Sequence, residues 1–136
     1  MENTPSETPC ERVLVVDDNA DMADSIRDVL ETYGVTVATS TSIEAAEAAL
    51  REGFEPNAML VDLRLARGEA GEDLIAWMRQ HPKFRGVHVI AVSAYPERLT
   101  GLRNVDEKLP KPFNVDRLLN VLRDFGRNES AAEPQP

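Results

Sequence analysis

The sequence predicts an α/β fold, a doubly wound sheet of five parallel strands with helices on both faces. Short runs rich in Val, Ile and Leu alternate with amphipathic stretches, and the runs are too short to form helices. This alternation is typical of a parallel sheet, because each crossover helix returns the chain to the same end of the sheet. With 136 residues, 42% of them hydrophobic, the chain is long enough for one compact domain.

The apolar runs give the predicted strands. The first four are strongly apolar, and the last, with the sequence EKLP, is weaker. The predicted strands are residues 12–16, 35–38, 58–61, 87–92 and 107–110.

Helices are predicted where apolar residues recur at helical spacing. Gly34 ends the first helix, Ser42 caps the second, Pro82 ends the third and Asn114 caps the last. The stretch 96–106 contains Pro, Gly and Asn, so a helix there is predicted to be short. The predicted buried faces are Met22, Ile26, Val29, Leu30 and Tyr33 in the first helix, Ile43, Ala46 and Leu50 in the second, Leu74, Ile75 and Met78 in the third, and Leu118, Leu119, Leu122 and Phe125 in the last.

The two ends of the chain have a different composition. Residues 1–11 and 128–136 are rich in Pro, Ser, Glu and Ala, and neither segment has a periodicity that could bury an apolar face. We therefore expect a flexible N-terminal tail, one domain over residues 12–127, and a disordered C-terminal tail.

Composition also indicates which binding partners are disfavoured and in which cellular compartment the protein is expected. A formal net charge of −9 disfavours general binding to nucleic acid or anionic membranes. The single cysteine, Cys10, cannot form an intramolecular disulfide, which favours a reducing compartment. No stretch approaches the roughly 18 apolar residues of a membrane span or resembles a signal peptide. We expect a soluble, cytoplasmic protein.

Polar side chains lie where four of the predicted strands end. Loops at the carboxyl ends of parallel strands form one crevice, so these side chains are expected to lie together. Carboxylates in one crevice raise one another's pKa unless a cation compensates, and oxygen ligands without His or Cys favour Mg²⁺. Asp17 and Asp18 follow the first strand, Asp62 the third, Ser93 the fourth and Lys111 the fifth.

The same residues predict phosphoryl chemistry. Lys111 supplies a positive charge and Ser93 a hydroxyl donor for the oxygens of a phosphoryl group, and Mg²⁺ commonly pairs with phosphate. A carboxylate of the cluster can then attack phosphorus, as carboxylates do when aspartyl phosphates form.

These pieces together resemble the receiver domain of two-component response regulators. The resemblance rests on Asp-Asp after the first strand, a lone Asp after the third, Ser after the fourth and Lys-Pro-Phe at 111–113, and it covers about residues 11–127. It implies the flavodoxin-like receiver fold, with the strand order 2-1-3-4-5.

The resemblance also implies a phosphoacceptor and a metal site. Asp62 would be the phosphoacceptor. Asp18 and Asp62 would bind Mg²⁺ together with the backbone carbonyl of Arg64, and Asp17 would act through a metal-bound water.

The remaining site residues would respond to the phosphoryl group. Lys111 would pair with its oxygens, and Ser93 would move towards them after phosphorylation. The Lys111–Pro112 peptide bond is expected to be cis, on the resemblance alone.

Several features depart from the common receiver pattern. The loop after the third strand has Ala66 where the family often has Pro, and one extra residue before Gly71. The segment 93–111 is short, and Lys108 stands where receivers commonly carry a switching Tyr or Phe. Tyr95, two residues after Ser93, makes the sequence resemble the FAT GUY subgroup of single-domain regulators. Ser93 and Tyr95 are therefore the expected switch residues.

The expected function is that of a single-domain response regulator. A histidine kinase or a histidine phosphotransfer protein would phosphorylate Asp62, and the signal would pass to an unidentified protein or onward in a phosphorelay. The protein would catalyse only its own phosphorylation and slow dephosphorylation.

Two other functions remain open at this stage. One is a phosphorylation-independent interaction module, which would have no need of buried like charges. The other is a flavodoxin-like binder of small molecules, which is disfavoured because no Gly-rich loop follows the first strand.

Overall fold

The fold of the chain is a five-stranded parallel sheet flanked by helices, as predicted. It is seen in a computed structural model that describes residues 12–132. The strands are β1 (Arg12–Val16), β2 (Thr36–Ser40), β3 (Ala58–Asp62), β4 (His88–Ser93) and β5 (Glu107–Pro110). The helices are α1 (Ala20–Thr32), α2 (Ile43–Arg51), α3 (Gly71–Arg79), α4 (Pro96–Leu99) and α5 (Val115–Ala132). The strand order is β2-β1-β3-β4-β5, which is the order that the resemblance implied.

The core consists of two apolar layers, one on each face of the sheet. On one face, strand residues such as Met59 pack with Leu50 of α2 and Met78 of α3. On the other face, Val15 packs with residues such as Leu30 of α1 and others of α5. Because β1, β3 and β4 are covered on both sides, their side chains are almost entirely buried, which explains their unbroken apolar sequences.

The predicted helix ends agree with the structure at three positions. Ser42 caps α2 by accepting a hydrogen bond from the Ala45 N–H, and Asn114 accepts one from the Arg117 N–H at the start of α5. Gly34 follows α1 with a positive φ of 87°, a conformation that costs glycine little.

Three local predictions need correction. Tyr33, predicted on the buried face of α1, is 39% exposed, and the guanidinium of Arg123 lies over its ring. β2 is only partly buried, because it is an edge strand. Residues 128–132 continue α5, although their composition predicted a tail, and the helix ends two residues before Pro134, which disfavours helical backbone before it. The predicted N-terminal tail and residues 133–136 lie outside the described residues.

The register of the sheet brings the polar strand ends to one edge. Val16 pairs with Val61, Asp62 with Val92, and Ser93 with Pro110. The residues that follow or end these strands therefore lie side by side. In the part of the chain between residues 12 and 132, no helix is long and apolar enough to cross a membrane.

Candidate functional site

Three carboxylates converge at the carboxyl edge of the sheet. Asp17 and Asp18 follow β1, and Asp62 ends the neighbouring strand β3. One carboxylate oxygen from each of the three residues lies within 4.8 Å of those from the other two. Asp17 and Asp62 are only 5% and 7% exposed, whereas Asp18 is open to solvent. The structure thus brings together the acidic residues that the sequence predicted.

Lys111 compensates the two buried carboxylates. Its Nζ lies 3.0 Å from Asp17 Oδ2 and 2.8 Å from Asp62 Oδ2. Burial alone would lower the pKa of Lys111, but the hydrogen bonds and charges of Asp62 and Asp17 outweigh it and raise that pKa above the ordinary value. Lys111 therefore carries its positive charge at neutral pH, beside the proposed phosphoacceptor.

The Asp62 carboxylate is held in one orientation. Its Oδ1 accepts a hydrogen bond of 3.0 Å from the Arg64 N–H, and its Oδ2 accepts one from Lys111. The backbone of Asp62 is packed closely against Gly71, because a Cβ on Gly71 would lie 2.3 Å from the Asp62 carbonyl oxygen. Gly71 is a site-supporting residue that the sequence analysis noticed only as a spacing marker. Its signal was a glycine at the first position of a helix.

Ser93 is buried at the end of β4 and bonds to the backbone of Tyr95. Its hydroxyl accepts a hydrogen bond of 2.9 Å from the Tyr95 N–H and lies 3.2 Å from the Tyr95 carbonyl, to which it can donate. The Ser93 carbonyl in turn accepts a hydrogen bond from the Lys111 N–H. Ser93, an expected switch residue, is thus bonded to the segment that follows it and to β5.

Tyr95 contacts the loop that follows Asp62. Its side chain is 40% exposed, and the guanidinium of Arg64 lies 5.2 Å from the centre of its ring. Arg64 also donates a hydrogen bond to the Tyr95 hydroxyl. The Arg64 side chain was not part of the predicted site, which named only its carbonyl.

The unusual loop after β3 is closed on itself and on α2. Arg67 and Gly68 adopt left-handed backbone, and Arg64 and Ala70 form an antiparallel bridge. Glu69 accepts a hydrogen bond from the Ile43 N–H at the start of α2. An acidic side chain is favourable there, because the N-terminus of a helix carries partial positive charge.

Lys108 of β5 is exposed to solvent. At the end of β5, the Lys111–Pro112 peptide bond is cis, as the resemblance implied.

The acidic cluster has the composition of a site for a hard cation. It offers oxygen atoms from three carboxylates, and neither His nor Cys belongs to the group. This donor set fits Mg²⁺ better than a transition metal.

Comparison with known proteins identifies the family. The sequence model of the response regulator receiver domain matches residues 13–123. The chain belongs to the response regulator receiver family. Among curated proteins, it is 25% identical over 118 residues to the polar-differentiation response regulator DivK of Brucella ovis, covering 83% of this chain and 94% of that one.

Solved structures share the fold of this chain. A CheY-like receiver domain protein from Methanospirillum hungatei superposes with a TM-score of 0.78 at 24% identity, covering 90% of this chain and 98% of that one. A sensor protein from a Polaromonas species gives a TM-score of 0.78 at 26% identity, with coverages of 87% and 97%. The response regulator TrrA from Thermotoga maritima, solved with Mg²⁺ and beryllium fluoride, gives 0.75 at 24% identity, with coverages of 85% and 99%. Receivers act in two-component signalling with kinases or phosphotransfer proteins, so the interaction module that ignores phosphorylation is not favoured.

The two neighbouring carboxylates are expected to differ in their effects on Mg²⁺ affinity. Asp18→Ala removes a proposed direct ligand. Asp17→Ala removes a carboxylate that would act through a metal-bound water, and loss of such a partner lowers the affinity for Mg²⁺ about tenfold. We expect the loss for Asp18→Ala to be the larger. Titration of Mg²⁺ into both variants, followed by amide chemical shifts, measures this, and equal affinities would contradict the assignment.

Stability without metal also separates the two substitutions. Like charges in one cluster repel, so removing either carboxylate relieves repulsion. Asp17, however, is an ion-pair partner of Lys111, so Asp17→Ala loses an attraction as well. We therefore expect only Asp18→Ala to raise the free energy of unfolding in the absence of Mg²⁺.

Proposed function

We propose that this receiver accepts a phosphoryl group on Asp62 from a phosphohistidine of a histidine kinase or phosphotransfer protein. The observation that carries the proposal is the buried Asp62 carboxylate, bonded to Lys111 and surrounded by two further carboxylates. In the transfer, an Asp62 oxygen forms a bond to phosphorus and the phosphorus–nitrogen bond breaks. The electron pair of that bond stays on the imidazole nitrogen of the donor.

The residues around Asp62 would stabilise the phosphoryl group and hold the metal ion. Lys111 stabilises negative charge on the phosphoryl oxygens, and Ser93 donates a hydrogen bond to one of them after transfer. Asp18, Asp62 and the Arg64 carbonyl would hold Mg²⁺ directly, and Asp17 would act through a metal-bound water. Bound Mg²⁺ neutralises charge on the phosphoryl oxygens.

We propose that the receiver catalyses its own phosphorylation and a slow hydrolysis, and acts on no other substrate. Its partners would be a cytoplasmic histidine kinase or phosphotransfer protein and a downstream protein, with no role for nucleic acid or membrane. The net charge of −9 supports the last point.

Phosphorylation of the wild-type protein tests this function. With Mg²⁺ and a small phosphodonor such as acetyl phosphate, we expect intact mass to increase by one phosphoryl group, which hydroxylamine removes as it does acyl phosphates. Chelation of the metal should prevent the reaction. A phosphoryl group that hydroxylamine leaves in place would exclude a carboxylate as its acceptor.

We further propose that Tyr95 transmits the change to the surface. Ser93 bonds to the Tyr95 backbone, so movement of its hydroxyl towards a phosphoryl group alters the position of Tyr95. Lys108 stands where receivers commonly carry a switching Tyr or Phe. It cannot take that role, because a lysine that fills an apolar space buries its charge. Phosphorylation would therefore reorient Tyr95 and residues 96–106, which would contact the partner.

Tyr95→Ala is expected to separate phosphorylation from this response. Asp62 should still be phosphorylated nearly as in the wild type, while most of the amide shift changes that phosphorylation causes in residues 96–106 are lost. Tyr33→Ala is a matched control, because Tyr33 is equally exposed and also lies against an arginine. A normal response in Tyr95→Ala, together with its loss in Lys108→Ala, would refute the role of Tyr95.

A further inference from the structure

The short helix α4 has little of its own to hold it in place. It is one turn long, it begins at Pro96, and no side chain caps its N-terminus. Gly101 and Asn104, which follow it, adopt left-handed backbone. One turn of helix is not stable by itself, so the position of α4 depends on its contacts with the rest of the domain.

Leu99 and Arg98 of α4 both contact the rest of the domain. Leu99 is buried in the apolar layer shared with α2 and α3. Arg98 reaches across to the segment after β3, where its Nη2 lies 2.8 Å from the Leu63 carbonyl oxygen and 2.8 and 3.1 Å from the two carboxylate oxygens of Glu72. Both charged side chains are about one-third exposed, so the pair is partly shielded from water.

The partners of Arg98 flank the loop that follows Asp62. Leu63 is the next residue after Asp62, and its carbonyl also accepts a hydrogen bond of 3.0 Å from the Gly71 N–H. Glu72 follows Gly71 in the first turn of α3. Arg98 therefore connects α4 to both ends of the loop that leaves the proposed phosphoacceptor.

The other end of α4 is connected to Ser93. The Tyr95 carbonyl accepts a hydrogen bond of 2.9 Å from the Arg98 N–H and is also within 3.2 Å of the Ser93 hydroxyl. If Ser93 turns towards a phosphoryl group, its hydroxyl leaves the Tyr95 carbonyl. The Tyr95 carbonyl then keeps only its hydrogen bond from the Arg98 N–H, the first backbone hydrogen bond of α4. The Arg98 side chain still holds the helix to Leu63 and Glu72.

We propose that Arg98, Glu72 and the Leu63 carbonyl form an ionic latch that opposes the rearrangement driven by phosphorylation. This inference rests on the proposed phosphorylation of Asp62. The latch stabilises the arrangement seen in this structure, so part of the free energy of phosphoryl binding is used to open it. By thermodynamic linkage, weakening the latch increases the affinity of the site for a phosphoryl mimic.

Beryllium fluoride with Mg²⁺ provides the mimic, and its dissociation constant is the measured quantity. We expect Glu72→Gln to bind it about two- to fivefold more tightly than the wild type, the range expected for loss of one partly exposed ion pair. Arg98→Met should show a larger increase, because it also removes the hydrogen bond to Leu63. In the double variant the effect should equal that of Arg98→Met alone, since the Gln then has no arginine to release.

The control is a second ion pair away from the site. Glu47→Gln breaks the pair between Glu47 and Arg51 on α2, and it should leave the affinity unchanged. Raising the salt concentration from about 0.1 M to about 1 M should reduce the difference between wild type and Glu72→Gln, because salt screens the pair. If Arg98→Met does not fold, the Glu72→Gln and salt measurements decide the question.

The possible outcomes separate the latch from the function on which it rests. Unchanged or weaker binding in Glu72→Gln, with normal binding in the wild type, would overturn the latch and leave the proposed function standing. Failure of the wild type itself to bind beryllium fluoride would overturn both.

Discussion

Asp62→Asn is expected to abolish phosphorylation while the domain stays folded. Asn has nearly the shape of Asp, but its neutral amide oxygen is a poor nucleophile. The substitution also removes one of the like charges in the cluster, and Lys111 keeps Asp17 as a partner. Intact mass after incubation with acetyl phosphate and Mg²⁺ should show no added phosphoryl group, whereas circular dichroism should remain that of the wild type.

Asp73→Asn is the matched control for this substitution. Asp73 is an exposed carboxylate in the first turn of α3, close in sequence to the site but outside the acidic cluster. It should be phosphorylated as the wild type is. Undiminished labelling of Asp62→Asn would move the phosphoacceptor to another carboxylate, and Asp18→Asn would then be the next variant to test.

Most of the fold was predictable because the central strands of the sheet have a simple hydrophobic pattern. β1, β3 and β4 are buried on both faces and read as unbroken apolar runs. The predictions failed where neighbouring elements decide burial. Tyr33 shares the helical spacing of the buried residues of α1, but only the packed structure shows that its ring remains exposed beside Arg123.

The candidate site was predictable to a similar depth. Asp17, Asp62 and Lys111 could be read from strand ends, because parallel strands bring those ends together. The contacts of Arg98 with Leu63 and Glu72 could not be read in this way, since they join residues that share no pattern in the sequence. The same holds for Glu69, whose hydrogen bond to the start of α2 depends on how the loop after β3 folds back.

Lys111→Met is expected to lower the free energy of unfolding by about 3 kcal/mol in the absence of Mg²⁺, because it leaves two buried carboxylates without their counter-ion. Met preserves the length of the side chain, so the loss reports mainly on the charge. Urea denaturation of both proteins measures the difference. Phosphorylation by acetyl phosphate should also fall, since the phosphoryl oxygens lose a positive partner.

Mg²⁺ should restore part of this stability, and more in the variant than in the wild type. In the wild type, Lys111 already neutralises Asp17 and Asp62, so a bound cation gains less there. The stabilisation by Mg²⁺ follows from its affinity for the native state, and we expect that affinity to be higher in Lys111→Met. Equal Mg²⁺ affinities in the two proteins would show that Lys111 and the metal do not act on the same carboxylates.

The stability difference between wild type and Lys111→Met should depend on pH in the way that identifies the Lys111 charge as its source. Its pKa in the native state lies above the ordinary value of 10.5, so its contribution to stability is fully present below that pH and is lost as the pH rises through the native pKa. The stability difference between wild type and Lys111→Met should therefore stay constant from neutral pH up to that ordinary value and shrink above it. Lys108→Met is the matched control, because Lys108 lies on β5 three residues earlier and is exposed. If Lys108→Met lost as much stability as Lys111→Met, the effect would come from removing any lysine of an acidic protein and not from the compensation of Asp17 and Asp62.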